Sequence, residues 1–351
     1  MVKVLMFGST FSTKGGMVSV VKNYFSYNDW NEYKITYIPT HFDGYRPLMM
    51  SLFVIRYIQT IILVMFGGYK IAHLHTAERG SFWRKAILVN TLRLFKIKTI
   101  MHHHGAEFED FFSKCSNVKK SLISKTLELV DVNIVLSKRL VNMIKAKSPR
   151  ANVEVLYNAV TTYDRNLYNM ESSNILFLGR LGKRKGIYDL IECIQRIDNK
   201  IDKRNKFYFC GDGDIEEVKN KIKEMNLNHR IAYVGWIDGE SKMEFLKNTM
   251  INVLPSYNEG LPMTILETMA YGIPNISTCI ASIPEVLKDG ENGFLINPGD
   301  IDSLSMKLMD LINNEYLRKN FSNESYELIK GRFSLDKHIA KLKKIYMCTL
   351  I

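Results

Sequence analysis

Short apolar runs alternate with longer stretches of helical character along the whole chain, and this alternation restricts the fold more than any other feature. Six runs lie in the first half and six in the second, at residues 2–7, 33–38, 71–75, 99–103, 132–135, 153–156, 174–178, 207–210, 231–234, 251–254, 275–277 and 293–296. Strands that alternate with helices are typical of parallel βαβ units. The pattern predicts the α/β class, with two doubly wound Rossmann-like domains that face each other across a cleft.

The length of the chain and one polar segment predict the domain organisation. A chain of 351 residues is too long for one hydrophobic core and sufficient for two. Residues 161–173 are polar and have no hydrophobic period, as expected of a joint between domains. We therefore expect an N-terminal domain at 1–165, a C-terminal domain at 166–334, and a final helical segment, 335–351, that packs back toward the first domain.

The net charge of +12 is confined to the first half of the chain. Residues 1–168 hold 23 Lys+Arg and 11 Asp+Glu, whereas residues 169–351 hold 25 of each. This asymmetry indicates that the first half meets a polyanion or an anionic membrane, while the second half meets a small molecule. A solvated surface rich in lysine is the alternative interpretation. The five cysteines form no Cys-x-x-Cys pair, which argues against a disulfide framework or a zinc site and for a reducing compartment.

The segment 48–66 is mostly apolar and close to the length that spans a bilayer. Arg56 and Gln59 fall in its middle, and a central arginine costs about 2.5–3.5 kcal/mol on insertion. We interpret the segment as a buried or membrane-adjacent helix of the first domain, with a true membrane span as the alternative. Residues 1–8 lack the charged region and the cleavage site of a signal peptide, and we expect them to form the first buried strand.

Two glutamates stand eight positions apart in the segment Tyr257-Asn-Glu-Gly-Leu-Pro-Met-Thr-Ile-Leu-Glu267. The apolar run before them predicts a buried strand, and Gly260 with Pro262 predicts the start of a helix. Glu259 is then expected in the loop before the helix, and Glu267 more than one turn inside it.

The loop Gly260, Leu261, Pro262 and Met263, with the turn after it, would present unpaired backbone amides to whatever lies above the strand. Unpaired amides and the helix dipole together form a binding site for an anion. A carboxylate on each side of an anion site suits a ligand that carries both phosphate and hydroxyl groups. A nucleotide sugar is such a ligand.

The first strand of the second half runs into the segment Gly179-Arg-Leu-Gly-Lys-Arg-Lys-Gly186. Arg180 and Lys185 are therefore expected at the mouth of a strand-to-helix loop, where a guanidinium and an ammonium can hold a diphosphate and neutralise a leaving group. The segment lacks the Gly-Lys-Ser/Thr ending of a Walker loop, which removes the main support for simple nucleotide hydrolysis. A basic surface turn is the alternative interpretation.

The first half offers a glycine pair and a set of histidines. Gly15 and Gly16 lie between the first strand and the first helix, where glycines let the backbone approach a ligand phosphate; a plain turn is the alternative. His104 is the last of three adjacent histidines and the best placed for the cleft, since successive strand residues alternate faces. His73 and His75 share one strand face, but no third ligand is evident, so we interpret them as structural and expect no metal site.

The motifs Gly179-Arg-Leu-x-x-x-Lys-Gly186 and Glu259-Gly-Leu-Pro…Glu267 resemble those of glycosyltransferase family 4, which has the GT-B fold. The Gly15-Gly16 pair, the His104-Gly105 pair and Asn158 also follow the order found in that family. The resemblance extends over nearly the whole chain. It implies a retaining transferase that takes a sugar from a nucleotide diphosphate sugar without a bound metal or another cofactor.

The resemblance implies a role for each matched residue of the second half. Arg180 and Lys185 would hold the donor diphosphate. Glu259 would contact hydroxyl groups of the donor sugar, beside the backbone of residues 260–263. Glu267 would bind the ribose of the nucleotide.

In the first half, the resemblance implies that Gly15 and Gly16 approach the distal phosphate, and that His104 lies near the reacting centre on the acceptor side. A family member of this size is expected to assemble surface polysaccharide such as capsule, lipopolysaccharide or O-antigen. The expected donor is a UDP-sugar or a GDP-sugar, and the expected acceptor is a glycan or an undecaprenyl-diphosphate-linked sugar. We expect a cytoplasmic protein that is peripheral on the inner face of the cell membrane.

Three other functions are alternatives. A nucleotide-sugar epimerase or hydrolase of the GT-B type would turn over its donor without an acceptor. A glycoside hydrolase would use Glu259 and Glu267 as acid and nucleophile, but it would leave Arg180 and Lys185 without a role. A basic nucleic-acid-binding protein would suit the positive charge, yet no recognition motif is present and the second half is neutral, so we expect no nucleic-acid partner.

Overall fold

The computed structural model describes residues 1–351 as two compact units. The first unit consists of Met1–Asn158 and Leu335–Ile351, and the second unit is Ala159–Ser334. Each unit contains one six-stranded sheet in which all strand pairs are parallel. The predicted α/β fold with two Rossmann-like domains is confirmed.

The first unit contains six strands, which are β1 (Val2–Gly8), β2 (Tyr33–Pro39), β3 (Ile71–Thr76), β4 (Lys98–His103), β5 (Val132–Val135) and β6 (Val153–Val155). They lie in the order β2-β1-β3-β4-β5-β6. Six helices precede residue 158, and they are α1 (Gly16–Ser26), α2 (Arg46–Phe66), α3 (Gly80–Leu94), α4 (Phe108–Ser113), α5 (Asn117–Leu129) and α6 (Lys138–Lys147).

The core of the first unit is built on strands that are apolar on both faces. Four successive residues of β1, from Val4 to Phe7, have no exposed surface. Because successive side chains of a strand point to opposite faces, this sheet is covered on both sides. Full burial of one such side chain stabilises the unit by about 1.5–3 kcal/mol.

The second unit contains β7 (Asn174–Leu178), β8 (Lys206–Cys210), β9 (Ile231–Gly235), β10 (Ile251–Leu254), β11 (Asn275–Thr278) and β12 (Gly293–Ile296). Its helices are α7 (Ile187–Ile197), α8 (Ile215–Glu224), α9 (Gly239–Lys247), α10 (Met263–Ala270), α11 (Ile301–Asn313) and α12 (Glu315–Leu328). Shorter turns are 3₁₀ at Lys183–Lys185, Asp198–Lys200 and Ile283–Glu285, and π-helical at Ile329–Phe333.

The strand order of the second unit, β12-β11-β10-β7-β8-β9, contains a reversal between β10 and β7. From β7 the chain continues outward to β8 and β9, and from β10 it continues the other way to β11 and β12. Open α/β sheets bind ligands at the carboxyl ends of their strands, at such a point of reversal. The strand order therefore selects the loops after β7 and β10 as ligand-binding loops.

The polar segment before β7 belongs to the second unit, so the unit begins at Ala159 and not at the predicted residue 166. The Tyr163 hydroxyl donates to the Tyr271 hydroxyl at 2.7 Å, and the Tyr168 hydroxyl donates to the Met250 carbonyl at 2.8 Å. These contacts attach a segment without hydrophobic period to the sheet that follows it.

The last helix, α13 (Leu335–Leu350), belongs to the first unit. Its His338 shares a hydrogen bond of 2.6 Å with the Tyr24 hydroxyl of α1. Its Tyr346 hydroxyl shares one of 2.7 Å with Nδ1 of His73 in β3. The first unit is therefore assembled from two separate segments of the chain.

The apolar segment predicted at 48–66 forms α2, which begins at Arg46. Only Thr60 and Val64 of its 21 residues are buried, so of the two expected placements, buried or membrane-adjacent, the buried one is wrong. By length and composition alone, α2 is the one helix that could cross a membrane.

Candidate functional site

Three loops meet at the carboxyl ends of β7, β8 and β10, and main-chain hydrogen bonds hold them together. The amide of Leu181, after β7, donates to the carbonyl of Asp212, after β8, at 2.6 Å. The amide of Tyr257, after β10, donates to the carbonyl of Arg184 at 2.9 Å. The loops of the glycine-rich motif and the glutamate motif, which the sequence places far apart, are therefore in contact.

Glycine at two positions allows this close approach of main chain to main chain. Gly186 has φ +73°, and a Cβ there would overlap the carbonyl oxygen of Pro255. A Cβ on Gly211 would overlap the carbonyl oxygen of Gly179. A side chain at either place would force two of the three loops apart.

Arg180 extends from the loop after β7 into solvent. Its side chain is 61% exposed, and its guanidinium lies 3.3 Å from a carboxylate oxygen of Asp212. An exposed pair of this kind holds the guanidinium only weakly, since surface salt bridges contribute about 0–1 kcal/mol. The Arg180 guanidinium is therefore free to exchange Asp212 for a phosphate.

Lys185 and Glu259 form an ion pair that is almost completely buried. The ammonium contacts Oε1 of Glu259, which is 5% exposed, while Lys185 is 15% exposed. The Ser256 hydroxyl donates to the same oxygen at 2.8 Å. A buried carboxylate needs such partners, and these two fix Glu259 in the loop between β10 and α10, as predicted.

The N-terminus of α10 lies directly after this loop. The helix begins at Met263. Pro262, which was predicted at the first helical position, is instead the N-cap residue, one position earlier. No side chain caps the helix, and its first turn contains no acidic residue. The first-turn amides and the positive end of the dipole are therefore not neutralised by a carboxylate on the helix itself.

Glu267 lies in the second turn of α10, as predicted, and it pairs with a residue that the sequence did not suggest. Lys242 of α9 lies 2.5 Å from Oε2 of Glu267, and the two side chains are 27% and 18% exposed. Glu259 and Glu267 thus have different cationic partners. Both carboxylates are therefore already engaged by a cation, unlike a free acid and nucleophile on either side of a glycosidic bond.

In the first unit, Gly15 and Gly16 form the start of α1. Gly15 is the N-cap residue with φ 137° and ψ 166°, and a Cβ there would meet nothing within 4 Å. No side chain caps α1, and its first turn contains no acidic residue. The glycine pair thus leaves open space at a helix N-terminus, the surroundings that an anion requires.

His104 follows β4 and is the outermost of a ladder of imidazole rings. Its Nε2 shares a hydrogen bond of 2.8 Å with Nδ1 of His75. Burial, followed by the charge of His103, lowers the pKa of His104 to about 3. The ring is therefore neutral at physiological pH and can accept or donate one hydrogen bond, but it carries no charge.

The sequence showed no third possible metal ligand beside His73 and His75. The structure provides one, which is His102. The pairing of β3 with β4 sets His75 opposite His102, and the ligating atoms of His73, His75 and His102 lie within 4.8 Å of one another. Three imidazoles at this separation can hold a metal ion. In the structure His73 instead shares hydrogen bonds with His102 at 3.2 Å and with Tyr346 at 2.7 Å.

Three further residues take part in the site without having been predicted: Asp212, Lys242 and Ser256. Asp212 stands between two glycines after β8, a pattern too common to identify a site. Lys242 lies in a helix that is separate in sequence from α10, so only the folded chain brings it to Glu267. Ser256 directly follows the Pro255 that ends β10, and its role could have been suspected from its nearness to Glu259.

The structure groups the predicted residues by unit. Arg180, Lys185 and Glu259 share one edge of the second sheet, together with the loop of residues 260–263 and Glu267 of α10, and Gly15, Gly16 and His104 follow carboxyl ends of strands in the first sheet. The edge of the second sheet combines two cations, a helix N-terminus and two paired carboxylates. This set can bind a phosphate-containing ligand and hydrogen-bond to hydroxyl groups beside it.

Residues 162–328 match the family model of glycosyl transferases group 1. An uncharacterized glycosyltransferase of Methanocaldococcus jannaschii is 33% identical over 194 residues, which are 55% of this chain and 52% of that protein, so the match spans about half of the archaeal relative. The Escherichia coli UDP-Gal:alpha-D-GlcNAc-diphosphoundecaprenol alpha-1,3-galactosyltransferase is 27% identical over 305 residues, 80% of this chain and 75% of its own length.

Among solved structures, the sucrose-phosphate synthase of Thermosynechococcus elongatus superposes with a TM-score of 0.81. The superposition covers 99% of this chain and 98% of that protein at 15% sequence identity, so it bears on the fold alone. The family match covers nearly all of the second unit and contains both of its motifs. The second unit of this chain is therefore similar, over nearly its whole length, to the glycosyl transferases group 1.

Proposed function

We propose that this protein is a retaining glycosyltransferase that needs no metal ion. It moves a sugar from a UDP-sugar or GDP-sugar to a glycan or to an undecaprenyl-diphosphate-linked acceptor, in the assembly of capsule, lipopolysaccharide or O-antigen. The reaction takes place in the cytoplasm, at the inner face of the cell membrane, where a soluble donor and a lipid-linked acceptor can meet.

One observation carries the proposal: the loop with Arg180 and Lys185 lies against the loop that begins α10. The contact between Lys185 and Glu259 and the hydrogen bond from Tyr257 to the Arg184 carbonyl join the two. Two cations and an uncapped helix N-terminus at one edge of the sheet suit a diphosphate. The carboxylate of Glu259 in the same place suits the hydroxyl groups of a sugar.

These residues would act on the leaving group. The bond between the anomeric carbon and a diphosphate oxygen breaks, and its electron pair stays on the diphosphate. Lys185 and the α10 amides would stabilise that charge from fixed positions, and Arg180 would join them by exchanging Asp212 for the phosphate. The acceptor oxygen would bond to the anomeric carbon on the face that the diphosphate leaves, and the acceptor proton would pass to a departing phosphate oxygen.

The remaining predicted residues would position the substrates. Glu267 would bind the ribose, with Lys242 holding the carboxylate in its rotamer. Gly15 and Gly16 would approach the distal phosphate, and a Cβ on Gly15 would meet nothing within 4 Å. His104 would offer a neutral imidazole near the acceptor.

The Escherichia coli relative supports both substrates of the proposed reaction. Its name gives UDP-Gal as the donor and a diphosphoundecaprenol-linked sugar as the acceptor. The two sequences align over 80% of this chain, which includes residues of both units. A nucleotide sugar and a lipid diphosphate are therefore the first donor and acceptor to test.

The experiment is turnover of nucleotide sugars with a lipid-diphosphate-linked acceptor, measured for the wild type and for Arg180→Ala and Lys185→Ala. We expect each variant to lose about 10²–10³-fold in kcat, the size of effect typical of removing one group that stabilises developing charge. Lys203→Ala, which removes an exposed cation of the same unit, should retain wild-type turnover. Near-UV circular dichroism would show that each variant keeps its fold.

Arg180 is exposed, so its replacement by alanine should not disturb the fold. Wild-type turnover in Arg180→Ala would therefore contradict the assignment of this residue to the diphosphate. Donor consumption at the full rate without any acceptor would favour the epimerase or hydrolase. Inversion of the anomeric configuration in the product, followed by NMR, would contradict a retaining reaction. Loss of activity in EDTA that added Mg²⁺ restores would contradict a reaction without metal.

A further inference from the structure

We propose that α2 and the end of α3 form a docking face that lies in the plane of an anionic membrane surface. The inference does not depend on the proposed reaction. The face consists of apolar side chains that are exposed on the two helices, which are Leu48, Met50, Val54, Ile55, Ile58, Ile62, Met65, Phe66, Ile87, Leu94 and Phe95. Phe66 and Leu94 are more than 80% exposed, so water faces side chains that are normally buried in a core.

The exposed residues of α2 form one continuous stripe. At about 100° per residue they span about 160° of the helix circumference. Thr60 and Val64, the two buried residues, lie on the other side and attach the helix to its unit. A wide apolar stripe with the opposite side fixed to the protein is the form of a helix that rests on a membrane interface.

The stripe continues onto α3. The hydroxyl groups of Tyr57 in α2 and Thr91 in α3 lie 2.8 Å apart and hold the two helices together. Ile87 and Leu94 are four positions before and three after Thr91, so they lie on the same side of α3 as that contact. The docking face therefore spans two neighbouring helices rather than one.

The charge around the docking face selects an anionic partner. Between Gly44 and Ala106 the chain contains nine Lys and Arg residues and one acidic residue, Glu78. The first unit as a whole contains 26 Lys+Arg and 11 Asp+Glu, a net charge of +15, whereas the second unit contains 22 and 25. Basic residues near an anionic leaflet strengthen membrane binding, and the effect weakens as salt is raised.

A second copy of this chain fits the docking face less well than a membrane does. A symmetric dimer would bring the same face of both copies together. Arg46, Lys70, Arg93 and Lys96, which are exposed within or next to the two helices, would then be brought toward the same residues of the other copy. Such like-charge contacts oppose association, whereas anionic headgroups neutralise the same residues.

The topology excludes a membrane span and leaves an in-plane orientation. α2 joins β2 to β3, and both of these strands pair with β1 in one sheet. The end of α2 is held by Lys3 Nζ, which donates to the Gly67 carbonyl at 2.8 Å, and by the Thr36 and Tyr69 hydroxyls, 2.9 Å apart. A helix whose two ends return to one sheet cannot have them on opposite sides of a bilayer about 30 Å thick.

The test is flotation of the purified full-length protein with vesicles, either of phosphatidylcholine alone or with 30% phosphatidylglycerol. We expect binding to the anionic vesicles that weakens as salt is raised. Ile58→Glu/Ile62→Glu should reduce the binding constant at least tenfold, because it places two carboxylates in the stripe. The matched control is Met306→Glu/Tyr316→Glu, which changes two exposed apolar residues of the second unit and should bind as the wild type does.

Other outcomes would overturn the inference. Equal binding by the docking-face variant and the wild type would do so, as would no binding to either vesicle. A dimer in sedimentation velocity that Ile58→Glu/Ile62→Glu dissociates would assign the face to a second copy. Protein that alkaline carbonate cannot release from the vesicles would indicate a span. Turnover with a water-soluble acceptor should be equal in both double variants, so failure of this inference is distinguishable from failure of the proposed reaction.

Discussion

Gly186 and Gly290 have nearly the same positive φ, +73° and +76°, but very different surroundings. A Cβ on Gly186 would overlap the Pro255 carbonyl oxygen, whereas a Cβ on Gly290 would meet nothing within 4 Å. The pair separates the cost of a left-handed backbone from the cost of forcing two loops apart.

We expect Gly290→Ala to lower the free energy of unfolding by about 1–2 kcal/mol, the strain of an alanine in the left-handed region. Gly186→Ala should cost more than this, because the Pro255 loop must also move, and it should weaken donor binding. Urea unfolding and donor titration of both variants check the prediction. Equal losses in the two variants would mean that the loop contact is not tight.

The sequence predicted the positions of four site residues, because each stands at a fixed distance from a strand end and a glycine. They are Arg180, Lys185, Glu259 and Glu267. The ion-pair partners of these residues could not be predicted in the same way. Lys242 reaches Glu267 from another helix, and that contact depends on how α9 packs beside α10. Local chemistry can therefore be predicted from sequence, while the ion pairs that orient it require the tertiary structure.

At the scale of elements, all twelve predicted strands are present, with ends that differ by at most one residue. A strand buried on both faces has a continuous apolar run, which is a strong local signal. The surroundings of a helix carry no such signal. α2 and a buried core helix have similar composition, so the exposure of α2 could be learned only from the folded chain.

The histidines of β3 and β4 make the first unit sensitive to acid. Burial lowers the pKa of His103 to about 4 and that of His73 to about 3, and it lowers those of His75 and His102 well below their ordinary value. The unfolded chain binds these protons at about pH 6.5 and the folded chain does not. The stability that the neutral rings contribute is therefore complete above pH 6.5 and is lost as the pH falls toward 4.

We expect the free energy of unfolding of the first unit to fall by up to about 1.4 kcal/mol per pH unit for each such histidine below pH 6.5. His103→Gln, which can still hydrogen-bond to Asn133, should reduce this slope by one proton. Met101→Leu, a change of similar volume in the same strand, should leave the slope intact. The slope is measured by urea unfolding at several pH values. A Trp236→Phe background leaves Trp30 and Trp83 of the first unit as the fluorescent probes. A slope that His103→Gln does not change would contradict the prediction.

At the scale of the whole molecule, the first unit is assembled from two separate segments of the chain. The sequence predicted this organisation only in part. The charge asymmetry and the two-domain length were clear in the sequence. The strand orders were not, because the pattern of alternating strands and helices is the same for many orders. The final helical segment was expected to pack back toward the first domain, and the contacts of α13 with α1 and β3 that bury it there come from the folded chain.

The contacts of Tyr346 predict how strongly the first unit depends on the C-terminal segment. Its ring is fully buried and packs edge-on against Tyr33 at 5.3 Å, and its hydroxyl is a hydrogen-bond partner of His73. Met347 is its neighbour in α13 and is mostly exposed. The two positions therefore compare a core contact with a surface position in one helix turn.

We expect Tyr346→Ala to lower the free energy of unfolding of the first unit by about 3–5 kcal/mol, since it removes a buried aromatic ring and leaves a cavity. Tyr346→Phe should cost about 1–3 kcal/mol, because the buried His73 nitrogen loses its partner. Met347→Ala should change stability by no more than about 0.5 kcal/mol. Hydrogen exchange should become faster in β1 and β3 of the alanine variant while β7 and β10 keep their protection, because each sheet has its own core. Equal loss of protection in both sheets would mean that the two units unfold as one, and wild-type exchange throughout would mean that α13 is not part of the first core.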